Sequence, residues 1–270
     1  MKLTYKDGLS AIEIEKEKVD LNRVQKIIDQ LYGKDDKIYP IPYSFIKDDN
    51  DDTLNFVMQA CALYTFPTYE LCEWLNSQID DDPEYEPHSA IEICAGTGWI
   101  GRQLGIPITD LKAQEDPVMA GLMMQMITKP VTYTNDIEKL EAQEAVNKYQ
   151  PDIVIGSFVS SKKNILQKNK RKAQILKEVT PMGITIEHNL MELAEKELPF
   201  FGVNVEKIIR SCWKTILVCN MRTHRNQSYL QLPHQSLSFP WLVTRGDVSQ
   251  ARILVFENKF YGAAIKKEME

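Results

Sequence analysis

Residues 90–101, AIEICAGTGWIG, hold the types and spacings best suited to chemistry in this sequence. An apolar run leads into a turn carrying Gly96, Gly98 and Gly101, and a helical pattern follows. Glycines are needed where backbone turns with positive φ or approaches a ligand with no Cβ in the way, and a helix starting there offers unpaired N–H groups. The G-x-G-x-x-G spacing by itself is common to many nucleotide sites. Glu92, four residues before Gly96, narrows the choice: a carboxylate there can accept from an ammonium directly or through water, and an anionic pyrophosphate gains nothing from it.

Other groups with chemical potential are scattered. Seven Lys/Arg (Lys162, Lys163, Lys168, Lys170, Arg171, Lys172 and Lys177) occur between 160 and 177 with no acid among them. They form either a solvated helix face or a surface for a nucleic acid or an acidic protein partner, although no aromatics for base stacking are interleaved. His188, after ITIE, is the best-placed general base, or else a partly buried structural histidine. Residues 222–246 gather His224, Arg225, Tyr229, His234, Phe239, Trp241 and Arg245, groups common in recognition, while Trp213 and Trp241 also fit a core-capping role. The four histidines and five cysteines include no HExxH, no CxxC and no zinc spacing, so no metal is indicated.

The elements that must position these residues follow from periodicity. Val19, Leu21, Val24, Ile27, Ile28 and Leu31 recur near 3.6 residues and predict a helix ending before Gly33. The acidic run KDDNDD at 47–52 reads as a turn and N-cap, since it lacks the glycine and distal glutamate of a calcium loop. From 53 to 79 helical spacing returns, broken by Pro67 into two helices with Thr65 or Thr68 as cap. The acidic stretch 80–87 reads as a connector, dividing an N-terminal, mostly helical extension (1–87) from a main domain (88–270). Beyond it, short apolar strands are expected at 90–95, 106–110, 131–134, 153–156 and 183–187, alternating with helices that include 117–128 and 136–149. That alternation is the signature of a parallel sheet covered on both faces. KTILVCNM (214–221) and RILVFEN (252–258), joined by an irregular insert at about 222–250, suggest an antiparallel pair closing one edge.

The motif E-I-C-A-G-T-G, Glu92 to Gly98, resembles motif I of class I S-adenosylmethionine-dependent methyltransferases, with Cys94 where a glycine or small residue is usual. The helix FPTYELCEWL (66–75) resembles the segment leading into that motif in several bacterial and phage members. The likeness covers roughly residues 60–190. It implies a Rossmann-like, doubly wound α/β fold with S-adenosyl-L-methionine as cofactor. On that resemblance Glu92, Cys94, Ala95, Gly96, Thr97 and Gly98 hold the methionine end, and Asp110, closing PITD, accepts from the ribose hydroxyls, with Glu115 and Asp116 as second candidates. Asn135 and Asp136 correspond to the position addressing the adenine amino group, and Ser157 and Phe158 lie beside the transferable methyl. The amine-orienting Asn/Asp-Pro-Pro-Tyr/Phe element of base and glutamine methylating members is replaced by Gly156-Ser157-Phe158-Val159, so the methyl acceptor is not named. Transfer from a sulfonium needs little beyond alignment and a destination for the substrate's proton. The alternatives are a methyltransferase-like binding or inhibitory protein without chemistry, and a nicotinamide dinucleotide protein, against which Glu92 and the early Asp110 argue.

Composition agrees with a globular α/β protein. The 270 residues are 43% hydrophobic and 26% charged, with a formal charge of -6, which disfavours nucleic-acid coating through overall charge. No apolar run approaches the roughly 20 residues that cross a bilayer, the first ten residues lack signal-peptide features, and the odd, mostly apolar-flanked cysteines favour a reducing compartment. A cytoplasmic setting is the expectation.

Overall fold

The computed structural model describes residues 2–4, 13–80, 88–117, 119–121, 129–159 and 203–258. A short antiparallel pair, β1 (Lys2–Thr4) and β2 (Glu13–Glu15), precedes three helices. These are α1 (Leu21–Leu31), α2 (Asp51–Ala60) and α3 (Tyr69–Ile79). Each begins at a side-chain cap: Asp20 accepts from the N–H groups of Asn22 and Arg23, Asn50 from Thr53, and Thr68 from Leu71. The acidic run is therefore a helix start, with Asn50 as cap and Asp51 and Asp52 in the first turn, where the helix dipole favours negative charge.

Seven strands form the main sheet: β3 (Ala90–Ile93), β4 (Ile108–Asp110), β5 (Ile137–Lys139), β6 (Ile153–Ser157), β7 (Lys214–Asn220), β8 (Gln235–Leu237) and β9 (Ala251–Glu257). Their spatial order is β5-β4-β3-β6-β7-β9-β8. The first five are mutually parallel, and β9 runs against both neighbours. Among the described residues the helices accompanying them are α4 (Trp99–Leu104) between β3 and β4, α5 (Ala142–Tyr149) between β5 and β6, α6 (Val205–Ser211) before β7 and α7 (Met221–His224) after it, besides helical residues at 117 and 119–121.

Alternation along the strands divides the core into two layers. Ile153 and Ile155 of β6, Ile216 and Val218 of β7, and Ile253 and Val255 of β9 pack with Ile27, Leu31, Leu54, Phe66, Leu71 and Leu75 of the N-terminal segment. The intervening residues turn to the opposite face: Val154 joins Ala145 of α5 and Ile208 of α6, while Leu217, Leu254 and Phe256 join Val205 and Tyr229. A two-residue side-chain period on strands buried on both faces produces this division. The expected α/β, doubly wound, mostly parallel sheet is thus observed, with α1 to α3 forming one of its covers.

Three expectations need correction. The third strand is Ile137–Lys139, not 131–134; the β-branched run Val131 to Thr134 is loop, and the helix expected from 136 begins at 142. Packing overrides propensity here, because Ile137 is buried against Gly98 and registers with Ile108, while the Val131 N–H donates to Gln114 Oε1 at 2.9 Å. At the other edge, β7 and β9 pair antiparallel as expected, but β9 is an interior strand: the insert itself supplies β8, which forms the edge. Of the helix at 117–128, residues 117 and 119–121 are helical. The remainder of that helix, the connector at 81–87, the basic stretch at 160–177, the strand at 183–187 and His188 lie outside the described residues.

Candidate nucleoside site at the carboxyl ends of the strands

Strand order reverses between β3 and β6, since β4 lies on one side of β3 and β6 on the other. In open α/β sheets the crevice outside the carboxyl ends at such a switch point is where ligands bind. The register Ile93↔Gly156 sets Cys94, just past β3, beside Ser157, the last residue of β6, at that point.

The loop after β3 has an unusual backbone. Cys94, Gly96 and Gly98 have φ of 52°, 57° and 68°, so alternate residues occupy the left-handed region. Cys94 thus adopts, without being a glycine, the conformation that favours glycine. The glycines have different duties. A Cβ on Gly98 would come within 3.0 Å of Ile108 and Ile137, and one on Gly101 within 2.7 Å of Ile108 Cγ1 and 2.9 Å of Glu92 Oε2, so both let α4 lie close on the sheet. A Cβ on Gly96 would meet only Val131 Cγ2, at 3.9 Å. Residues 94–97 are half-buried between a buried strand and a buried helix start, which leaves this loop with an open face. Gly101→Ala is expected to cost about 2 kcal/mol through overpacking. Gly105→Ala, at φ 68° with no neighbour within 4 Å, is expected to cost about 1 kcal/mol from backbone conformation alone. Urea midpoints of the two variants check the ordering.

Glu92 is buried, and its Oε2 accepts the Gly101 N–H at 2.8 Å. The carboxyl is turned under the first turn of α4, and its role is to seat that helix. Burial pushes its pKa up to about 8, against the opposing pull of the Gly101 N–H. Asp110 ends β4 beside the loop: its Oδ2 accepts from Gly96 N–H at 2.9 Å and its Oδ1 from Lys112 N–H at 2.7 Å. Burial raises its pKa too, and the two N–H groups oppose the rise. Burial pushes the Cys94 thiol up strongly.

Ser157 and Phe158 stand across the switch point. The Ser157 hydroxyl is 2.6 Å from that of Thr65. Phe158 has φ 56°, its N–H donates to Val218 O at 2.9 Å, and its ring lies 5.4 Å from Tyr64 and edge-on to His224 at 4.9 Å. His224 is fully buried, and burial lowers its pKa. The Tyr229 hydroxyl donates to Val159 O at 3.1 Å. Tyr64, Thr65 and the support given by His224 and Tyr229 are not legible in the sequence, because these contacts join segments remote in sequence. Tyr229 and Arg245, which the composition of the insert marks for recognition, are buried supports.

Two assigned residues are not in the site. Asn135 and Asp136 precede β5, at its amino end, because the strand starts at Ile137. Asp136 pairs there with Arg102 at 2.9 Å and Lys37 at 3.7 Å. Partial burial works to raise its carboxyl, but hydrogen bonds from Arg102 and Thr134 prevail and hold it well below the usual range. The register Asp110↔Lys139 puts Lys139 to Glu141 at the corresponding carboxyl end instead. Of the second ribose candidates, Glu115 pairs with Lys139 at 3.3 Å and Asp116 accepts from Met119 N–H at 3.3 Å. Among the described residues no three His, Cys, Asp or Glu are grouped to hold a metal ion, and no helix is long and apolar enough to cross a membrane.

Fold and site together define an α/β protein with a Rossmann-like, doubly wound sheet and a glycine loop at its switch point. No family model and no curated protein matches the chain.

Proposed function

We propose that the protein is an S-adenosyl-L-methionine-dependent methyltransferase of unspecified acceptor, holding the nucleoside in the crevice between the loop after β3 and the end of β6. The observation that carries this reading is the half-open loop of Cys94 to Gly98, with left-handed backbone at three alternate positions and Asp110 fastened to Gly96. Its open face at Gly96 fits a ligand that approaches backbone closely. In this reading residues 94–98 line the methionine end, Asp110 receives a ribose hydroxyl, and Lys139 to Glu141 take over the adenine-proximal position from Asn135 and Asp136. Ser157 and Phe158 border the reacting carbon; when bound, the cofactor supplies a methyl group on a sulfonium. Five free cysteines, four of them buried, support a reducing, cytoplasmic setting.

Titration calorimetry with S-adenosylmethionine and S-adenosylhomocysteine tests the reading, with binding expected in the micromolar range. Asp110→Asn keeps one acceptor for Gly96 and is expected to weaken S-adenosylhomocysteine by about 1 to 3 kcal/mol. Absence of heat with either ligand at high micromolar concentration overturns the reading. The displacement of Asn135 and Asp136 favours one alternative, a methyltransferase-like binding protein, which would take up the nucleoside yet transfer no methyl to nucleic-acid or protein acceptors. A nicotinamide dinucleotide is less compatible, because β9 runs backwards where the dinucleotide fold continues its parallel order.

A further inference from the structure

The end of α2 is built to deliver one hydroxyl to the crevice. Ala62 takes the left-handed conformation at φ 56°, its N–H donates to Gln59 O at 3.4 Å, and the Leu63 N–H donates to Met58 O at 2.7 Å, which closes the helix and turns the chain out of it. The residues that follow lie against 243–245. The Phe66 N–H donates to Val243 O and the Arg245 N–H to Tyr64 O, both at 2.9 Å, with Thr65 and Thr244 bridged antiparallel between them. Asn220, the last residue of β7, donates from Nδ2 to Thr244 Oγ1 at 3.1 Å. A piece of the N-terminal segment is thereby fastened at the carboxyl end of the sheet.

Ser157 meets it from the other side. Ile153 and Ile155 of β6 pack with the N-terminal helices, and Ser157 is the next residue on that face, so its Oγ comes 2.6 Å from Thr65 Oγ1. Thr65 is buried and Ser157 half-buried. Among the described residues neither hydroxyl has a second hydrogen-bond partner. If Ser157 were the donor, the Thr65 hydrogen would be buried with nothing to receive it. The Thr65 O–H therefore donates, and Ser157 Oγ keeps a lone pair on the half-open side.

We infer that Thr65 is a positioning residue: it fixes Ser157 Oγ with that lone pair toward the sulfonium, so that the crevice prefers S-adenosylmethionine to S-adenosylhomocysteine. This rests on the nucleoside reading above and goes beyond it by naming a residue of the N-terminal segment that completes the site and the distinction it makes. The two nucleosides differ by one methyl group and the positive charge that comes with it. An oxygen lone pair held in a half-buried crevice attracts that charge and gives the neutral thioether nothing comparable. The same preference lets a spent nucleoside be replaced by a fresh one.

Calorimetry with both nucleosides on the wild type, Thr65→Val, Thr65→Ser and Ser157→Ala is the test. Thr65→Val and Ser157→Ala are each expected to weaken S-adenosylmethionine about fivefold, the worth of one hydrogen bond, and to change S-adenosylhomocysteine by less than about twofold. Thr65→Ser keeps the O–H and should restore the wild-type ratio of the two affinities. Adding Thr65→Val to Ser157→Ala should change nothing further, because Thr65 acts through Ser157. Should Thr65→Val not fold, Ser157→Ala removes the same hydroxyl pair from its more open side. Parallel weakening of both nucleosides, an unchanged ratio, or no restoration by Thr65→Ser overturns the inference and leaves the nucleoside reading standing. Failure of the wild type to bind either nucleoside overturns the two together.

Discussion

Glu92→Gln is expected to stabilise the protein by about 4 kcal/mol at pH 8 and to leave it nearly unchanged at pH 4. Burial pushes the native carboxyl up to about 8 from its ordinary value of 4.5. Between those two values the folded state keeps a proton that the unfolded state releases. Stability is therefore fully present below about pH 4.5 and is lost as pH rises through about 8. At about 1.4 kcal/mol per pKa unit the whole loss is about 5 kcal/mol. Glutamine is neutral throughout and its Oε1 can still accept from Gly101, so the variant should lack this slope. Urea denaturation at a series of pH values is the measurement. Identical slopes in the two proteins would mean that Glu92 is ionised in the native state and that water reaches it.

Arg245→Met should remove about 3 kcal/mol from the free energy of unfolding. The guanidinium is buried, donating from Nε to Leu63 O at 3.0 Å and from an Nη to Met58 O at 3.2 Å, and it lies 4.3 Å over the Tyr64 ring. Among the described residues it has no ion pair. Its compensation comes from the Met58 carbonyl in the last turn of α2, where the helix dipole is negative, and from the Leu63 carbonyl just beyond that helix. Beside it Asn55 and Gly246 exchange two hydrogen bonds, at 2.8 and 2.7 Å, which bind α2 to the segment before β9. Methionine matches the length but orphans the Leu63 carbonyl, at about 1 to 3 kcal/mol, and loses the contact with the Tyr64 ring, at about 1 to 2 kcal/mol, offset in part by relief of the buried charge, while Met58 O keeps the Leu63 N–H at 2.7 Å. Arg245→Lys keeps the charge and one donor centre and should lose about half as much. Equal stability of Arg245→Met and wild type would show that the Leu63 carbonyl finds another donor. Since Tyr64 touches Phe158, the methionine variant should also loosen the β6 side of the crevice.

Much of this architecture is legible from local chemistry. Asn50, Thr68 and Pro67 mark where α2 and α3 begin, and the apolar runs of β3, β6, β7 and β9 announce strands buried on both faces. The glycine loop is equally visible, because left-handed backbone and close helix packing demand glycine at positions a reader can count. What escapes is what tertiary packing decides. Val131 to Thr134 has the better strand composition, yet Ile137 fits beneath Gly98, so the strand shifts and removes Asn135 and Asp136 from the site. β8 is three residues long, with Gln235 and Ser236 exposed, and offers no apolar period to detect. Glu92 reads as a ligand for a free ammonium until its neighbour Gly101 is seen to claim it. The ring cluster of Tyr64, Phe158 and His224 joins three remote segments, and no pattern in one sequence encodes such a meeting.

The position of β9 bears on how the protein is made. A ribosome delivers β7 and β8 well before residues 251–257, yet neither can satisfy its facing backbone groups until that later segment slides between them. For that interval the nascent chain presents two unpaired strand margins, the apolar one on β7 and the polar one on β8. Such margins invite pairing with foreign chains. The brevity and polarity of β8 keep its own margin unattractive, so the vulnerable edge during biosynthesis is that of β7.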